Sequence, residues 1–357
     1  MKEHAFLKWM SEETATDWCN DSALPDDLDA ALASGAIGCT TNPPLTYQVL
    51  TAEPEHFAPD LAQIANGVTG DAKVVGLIGV VVRKIAKRLE ALFEETDRTR
   101  GYVRTQVAPP LSADGAAMLA MGKIYASWGA NVKVKIPGTR AGIQVLEELS
   151  ARGIPNNPTV CVSVSQMIAA AEAHERGLKR AQAAGLDAPH STSAFVMGRL
   201  QDYLALLSEE RGLGLATYDL ECAVLAVAKR CYHLFEERGY RQQIMPAAFR
   251  SARQVAELTG SKTVMTIHPS IQDRVTEADQ RGELKRRAAI DDPVDPQAVD
   301  RVYQALPEFR VAYEPGGIAV EDFDSFGATA MTLKAFNETG WQKLKTFEIP
   351  SAANQNG

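Results

Sequence analysis

The sequence lacks several things that would have directed its reading elsewhere. Its five cysteines, Cys19, Cys39, Cys161, Cys222 and Cys231, are odd in number and form no CxxC pair. That excludes a disulfide framework or a zinc site, and leaves them as small buried apolar residues. No stretch approaches the roughly 20 apolar residues that span a bilayer as a helix. Residues 1–8, MKEHAFLK, carry no long apolar run and no signal-like cleavage site. The expectation is a cytoplasmic protein with no membrane partner. No HExxH or comparable ligand set is present, so neither a metal nor any other cofactor is expected. The net charge of −8 repels phosphodiester backbones, so no nucleic-acid partner is expected. A local basic pocket for one small phosphate remains allowed.

What is present is an alternation of short apolar runs with longer helical patterns. Candidate strands cover 15–20, 36–41, 102–108, 132–137, 159–163, 192–196, 243–248 and 263–267. Helical spacing covers 115–128, 140–152, 165–174, 218–237 and 251–258, with Gly153 placed as a C-terminal cap. Two more helices, 61–65 and 74–92, fall between the second and third strands. Beyond residue 280 lie a charged turn at 286–295, a short helix near 299–306 and a final helix near 326–346. Strands alternating with helices predict a parallel α/β protein. A doubly wound sheet would carry a glycine-rich loop after its first strand. Here that position reads Asp21-Ser22-Ala23-Leu24-Pro25. The prediction is therefore one (β/α)₈ TIM barrel over 1–357, with additional helices and a helical extension over 280–357.

In such a barrel the site lies at the C-terminal ends of the strands. Nearly every candidate strand places a polar group there: Asp21, Thr41-Asn42, Gln106, Lys135, Asn157 with Thr159 and Ser163, Ser193 with Arg199, and Arg250. Burying one such group unpaired costs about 1–3 kcal/mol, so the set makes sense when its members meet each other or a ligand. Lys135 stands out within the apolar run 132–137. Burial disfavours its cation and leaves a nucleophilic amine suited to attack a ketone. Lys133 shares its face by parity, and spacing alone does not choose between the two. Asp17 lies deeper on the face that carries Asp21. The bland alternatives are a snorkelling Lys135, an N-capping Asp21, a simple turn at 40–43, a surface Arg250 and a structural His268.

These segments, taken in order, resemble the transaldolase family. The resemblance is carried by Gly38-Cys39-Thr40-Thr41-Asn42-Pro43 and by Asn131-Val132-Lys133-Val134-Lys135-Ile136-Pro137-Gly138-Thr139 with Gly142. It continues through Gly153-Ile154-Pro155-Asn156-Asn157-Pro158-Thr159 with Ser163 and Gln166, and Ser193-Ala194-Phe195-Val196 with Arg199. Ala248-Phe249-Arg250, Glu257-Leu258-Thr259-Gly260 and Thr266-Ile267-His268-Pro269 complete it. The family's lysine precedes Ile/Val-Pro, which selects Lys135. The resemblance implies an imine between Lys135 and a ketose, with Asp21 as general acid/base. It implies water positioned by Gln106 and Thr159, and substrate held by Asn42, Asn157, Ser193, Phe195, Arg199 and Arg250. The implied partners are a sugar phosphate or related ketose and an aldehyde, in the manner of pentose-phosphate carbohydrate metabolism. A homodimer is compatible with it.

Three positions depart from the family pattern. Gln106 stands where a water-activating glutamate is usual, as in the fructose-6-phosphate aldolase branch. Val196-Met197-Gly198-Arg199 carries one residue more than the usual spacing, which flips a side chain unless a bulge absorbs it. Ala248 replaces a common phosphate-binding serine. Transfer of a dihydroxyacetone unit between ketose and aldehyde is the leading expectation. Cleavage that releases dihydroxyacetone is its rival, and a transaldolase acting on a specialised-pathway sugar is a further alternative. A non-catalytic sugar- or protein-binding barrel and a metal-dependent aldolase are the other readings.

Overall fold

Eight short parallel strands wind in sequence order around one axis: β1 (Asp17–Asn20), β2 (Gly38–Thr40), β3 (Tyr102–Gln106), β4 (Val132–Pro137), β5 (Asn156–Thr159), β6 (Thr192–Val196), β7 (Gln243–Ala247) and β8 (Val264–Ile267). The computed structural model describes residues 3–64 and 67–349. One six-stranded ladder runs β5-β4-β3-β2-β1-β8, and β6 pairs with β7. Single bridges, Asn156 to Ser191 and Cys161 to Phe195, join β5 to β6. β7 lies against β8. The result is the predicted (β/α)₈ barrel.

Five of the predicted strands recur with ends shifted by up to two residues, and β4 and β6 recur without change. β5 does not. The apolar run at 160–162 draws the prediction to 159–163, but the strand is Asn156–Thr159. Val160 adopts φ 58°, a left-handed conformation that costs a β-branched residue roughly 1–3 kcal/mol, and it ends the ladder. Pro158 removes one donor from the strand, in keeping with the sparse pairing to β6.

The helices after β2, β4, β5 and β7 start on side-chain caps. Asn42 Oδ1 accepts from Leu45 N at 2.9 Å, Thr139 Oγ1 from Gly142 N at 3.0 Å, and Ser163 and Ser251 Oγ from the amides of Gln166 and Gln254 at 3.2 Å each. Each cap satisfies a backbone donor at the helix start and fixes where the chain turns at the top of the barrel. Gly142 is obligatory: a Cβ there would sit 1.8 Å from the Pro137 carbonyl oxygen. The helix expected at 61–65 is instead Pro54–Leu61, and Ala65 lies outside the described residues. The long insertion helix is Gly70–Glu95, with Val74, Leu77, Ile78, Val81, Ile85 and Leu89 buried at helical spacing. Residues 327–346 form a C-terminal helix with a π-helical turn at Asn337–Trp341. No described helix is long and apolar enough to cross a membrane.

Two large apolar layers separate the strands from the helices, one behind β6–β8 and one behind β2–β4. A small third cluster, Cys19, Ile37, Ala194, Met245 and Val264, fills the barrel interior on one side. The rest of the interior is polar, and that is where the chemistry sits.

Candidate active site

Side-chain parity decides which residues meet inside the barrel. On β4, Val132, Val134 and Ile136 join the helix layer, so Lys133, Lys135 and Pro137 point inward. Gln106 pairs in register with Lys135, and Lys135 with Asn157. Lys135 is buried, and its Nζ donates to the Thr41 carbonyl at 3.2 Å. Burial lowers its pKa to about 8, with help from Arg104 and against the pull of Asp21 and Cys39. At pH 7 that raises the free-amine fraction roughly 300-fold over an ordinary lysine. Asp21 is half-buried at the end of β1, its amide bonded to the Ile267 carbonyl at 3.1 Å. Burial raises its pKa, opposed by Lys135, then His268 and Arg199. An amine pushed toward neutrality and a carboxyl pushed toward protonation therefore face each other.

Gln106 is fully buried, and neither end of its amide has a partner among the described residues. Each orphaned group costs about 1–3 kcal/mol, a sign that the amide is meant for something the protein does not supply. Thr266, on β8, carries a second orphaned hydroxyl. Thr159 is buried one layer above Asn157, and its hydroxyl makes no hydrogen bond to the described residues. Asn157 is already engaged: its Oδ1 accepts from Thr192 Oγ1 at 2.6 Å, and its Nδ2 donates to the Pro158 carbonyl at 2.7 Å. Asn42 uses its Oδ1 as a helix cap, and its Nδ2 makes no hydrogen bond to the described residues.

Two expected contacts are corrected. Ser193 and Phe195 point out of the barrel, not into it. Ser193 Oγ meets Met167 Sδ at 3.5 Å, and Phe195 packs in the helix layer behind β6. Thr192 and Ala194 face inward instead, Thr192 toward Asn157 and Arg104, Ala194 within the interior cluster. The extra residue before Arg199 is the cause. β6 is regular from Thr192 to Val196, no bulge absorbs the insertion, and parity flips.

Arg199 nonetheless reaches the mouth. It lies half-buried with Cζ 5.5 Å from the Phe336 ring centroid of the C-terminal helix. Burial and then the neighbouring Arg250 lower its pKa. Arg250 is gripped in fork geometry by Asp202, at 2.9 and 2.6 Å. Gly198 permits this stacking, since a Cβ there would fall 1.8 Å from the Ala248 carbonyl oxygen and 2.7 Å from Arg250 Cζ. Ala248 itself is left-handed, φ 60°. Asp202 escaped the sequence reading; its place three residues beyond Arg199 on one helix was the available signal. His268 caps the following helix through Ser270 N at 3.2 Å, as a structural reading expects, while also biasing Asp21.

Lys133 and Asp17 are separated from this group. Lys133 Nζ contacts His190 Nδ1 at 2.6 Å and sits 4.0 Å from the Tyr102 ring centroid, one layer lower. Asp17 pairs with Arg100 at 3.1 Å at the barrel's base. No group of three or more His, Cys, Asp or Glu side chains suited to a metal occurs among the described residues.

A parallel (β/α)₈ barrel with a low-pKa lysine on β4 facing a carboxyl on β1 defines a class of barrel enzymes. Comparison with known proteins makes this specific. Residues 18–315 match the family model described as Transaldolase/Fructose-6-phosphate aldolase, and the chain belongs to that family. Among its relatives, Transaldolase 1 of Streptomyces coelicolor is 30% identical over 349 residues, covering 88% of this chain and 90% of the relative. Transaldolase 1 of Streptomyces avermitilis is 31% identical, covering 72% and 71%. The Transaldolase of Thiobacillus denitrificans is 28% identical, covering 88% and 92%.

Proposed function

We propose that the protein is a transaldolase-type transferase that moves a dihydroxyacetone unit from a ketose phosphate to an aldehyde through an imine on Lys135. The observation that carries this reading is the buried Lys135 amine, with its pKa near 8, opposite Asp21. The free amine adds to the ketose carbonyl, and loss of water gives the protonated imine. That cation is an electron sink for the C3–C4 bond pair. Asp21 removes the proton from the C4 hydroxyl as the bond breaks, releasing an aldose. The bound three-carbon carbanion then adds to an acceptor aldehyde, Asp21 returns the proton, and water frees the product.

Gln106 and Thr159 orient that water. An amide cannot take its proton at neutral pH, so Asp21 is the base available for imine formation and hydrolysis as well. Asn42 and Asn157 hold donor hydroxyls, and Arg199 with Arg250 takes the phosphate. Ser193 and Phe195 have no direct part, since both lie behind the strand.

Gln106 favours a second reading, aldol cleavage with release of dihydroxyacetone. The test begins with fructose 6-phosphate and borohydride, read by peptide mass spectrometry. A three-carbon adduct on the peptide holding Lys135 is expected; its absence with every ketose tried, in folded protein, sinks the enzymatic reading. Adding an aldose phosphate then separates transfer from release, and Gln106→Glu should shift that partition if Gln106 sets it.

A further inference from the structure

Beneath the site just described, the lower half of the barrel contains two buried basic side chains with no acidic partner. Arg104 points inward from β3, two residues below Gln106, and is 2% exposed. Its Nε donates to Thr192 Oγ1 at 3.3 Å and its Nη1 to Cys19 Sγ at 3.1 Å, both neutral acceptors. Lys133 is fully buried, with His190 as its hydrogen-bond partner. No ion pair to Arg104 or Lys133 occurs among the described residues. A buried guanidinium, charged at every ordinary pH, normally finds a carboxylate or a bound anion.

Next to it is a cavity that leads to the opposite end of the barrel. This space of about 270 Å³ at the N-terminal mouth is lined by Arg100, Arg104, Asp17, His190, Gln243 and Tyr102, among others. Asp17 pairs directly with Arg100 at 3.1 Å and touches the Arg104 charge only at longer range, so Arg104 has no carboxylate in direct contact. The lining offers guanidinium forks, a ring nitrogen and an amide, a donor set matched to tetrahedral oxygens. The volume is smaller than ordinary cofactor pockets and suits an ion or a short ester.

We infer that the N-terminal mouth of the barrel is a second anion site, separate from the catalytic mouth, that binds a small phosphate dianion between Arg100, Arg104 and His190. The anion is inorganic phosphate or the head of a short phosphate ester. Lys133 supports it from behind, through its contact with His190. Burial and then Arg104 lower the Lys133 pKa, and Lys133, then burial and Arg104, lower that of His190 to about 2; Cys19, Tyr102, His174 and Asp17 are the other titratable groups around them. An arriving dianion reverses that balance, so binding takes up a proton.

The experiment is calorimetric titration of the full chain with inorganic phosphate, in buffers of differing ionisation enthalpy. It is done in an Arg199→Ala/Arg250→Ala background, so that the phosphate grip proposed at the catalytic mouth is removed and failure of the proposed catalytic reading has no bearing. One site with net proton uptake is expected. Adding Arg100→Ala, at an exposed position, should weaken it at least about tenfold. Lys133→Met should reduce the proton uptake. Repeating the titration with glycerol phosphate assigns the source: the tighter of the two ligands is the one the cavity fits. Absence of binding by either ligand, or binding that Arg100→Ala and Arg104→Met both leave unchanged, overturns the inference.

Discussion

Lys133 and Lys135 stand two residues apart on one strand, point the same way, and are both buried. Their settings differ in what surrounds the amine. Lys135 lies where the barrel opens, with Asp21 across from it, a free Gln106 amide beside it and a single hydrogen bond to a backbone carbonyl. Lys133 lies below, enclosed by the Tyr102 ring, His190 and Arg104, with no carboxyl to stabilise its charge. Desolvation lowers both pKa values; Asp21 partly opposes it at Lys135, and no carboxyl does so at Lys133. Burial alone therefore makes a neutral amine. A useful nucleophile also needs access and a group to move its protons, and only the upper lysine has both.

The sharpest way to break this comparison is to exchange the two outcomes. Lys135→Met should cut turnover by on the order of 10³-fold or more and abolish borohydride trapping, while Lys133→Met should stay within about tenfold of the parent. Trapping on the Lys133 side chain in the Lys135→Met protein would show that access, and not position, had been misjudged. The next effect concerns the carboxyl. Asp21→Asn should lower kcat by about 10²–10⁴-fold. Because Asp21 raises the Lys135 pKa, the same change should move the pH dependence of imine trapping to lower pH. A kcat loss with an unmoved profile would mean that the two groups do not interact.

A smaller effect tests the link between the two halves. Arg104 lowers the Lys135 pKa from the layer below. Replacing it by methionine raises that pKa, reduces the free amine at neutral pH and shifts the acid limb of trapping to higher pH. An unchanged limb would confine the Lys135 shift to burial and Asp21.

The sequence was informative where a residue type conflicts with its surroundings. A lysine in an apolar run and a carboxylate ending a strand appear where patterning places them, whereas the caps after β2, β4, β5 and β7 were not read from the sequence. It was misleading where one residue of register mattered. The extra residue between Phe195 and Arg199 was visible, but whether a bulge absorbs it depends on the pairing of β6 with β7, a contact across about 50 residues. β5 was misplaced because apolar content marks burial and not conformation; Val160 is buried and left-handed. Asp202 and Arg104 were passed over for opposite reasons. Asp202 looks like a solvated helix residue until Arg250 is seen beside it. Arg104 reads as one polar residue in a strand, and its lack of a carboxylate partner is a three-dimensional fact.

The mildest prediction concerns stability. Burial, helped by Arg104, holds the Lys133 pKa well below its ordinary 10.5 in the fold, whereas the unfolded chain protonates it below 10.5. The folded state thus binds fewer protons, and this residue's contribution to stability falls as pH drops from 10.5 toward neutrality. Lys133→Met removes that penalty and keeps the buried chain length. Its melting temperature should exceed the parent's by roughly 2 °C or more at pH 7, with the gain shrinking as pH rises toward 10. A gain that stays constant with pH would be a packing effect. No gain at pH 7 in phosphate-free buffer would mean that Lys133 is charged and compensated within the barrel, and would put the lower half on the same footing as the upper.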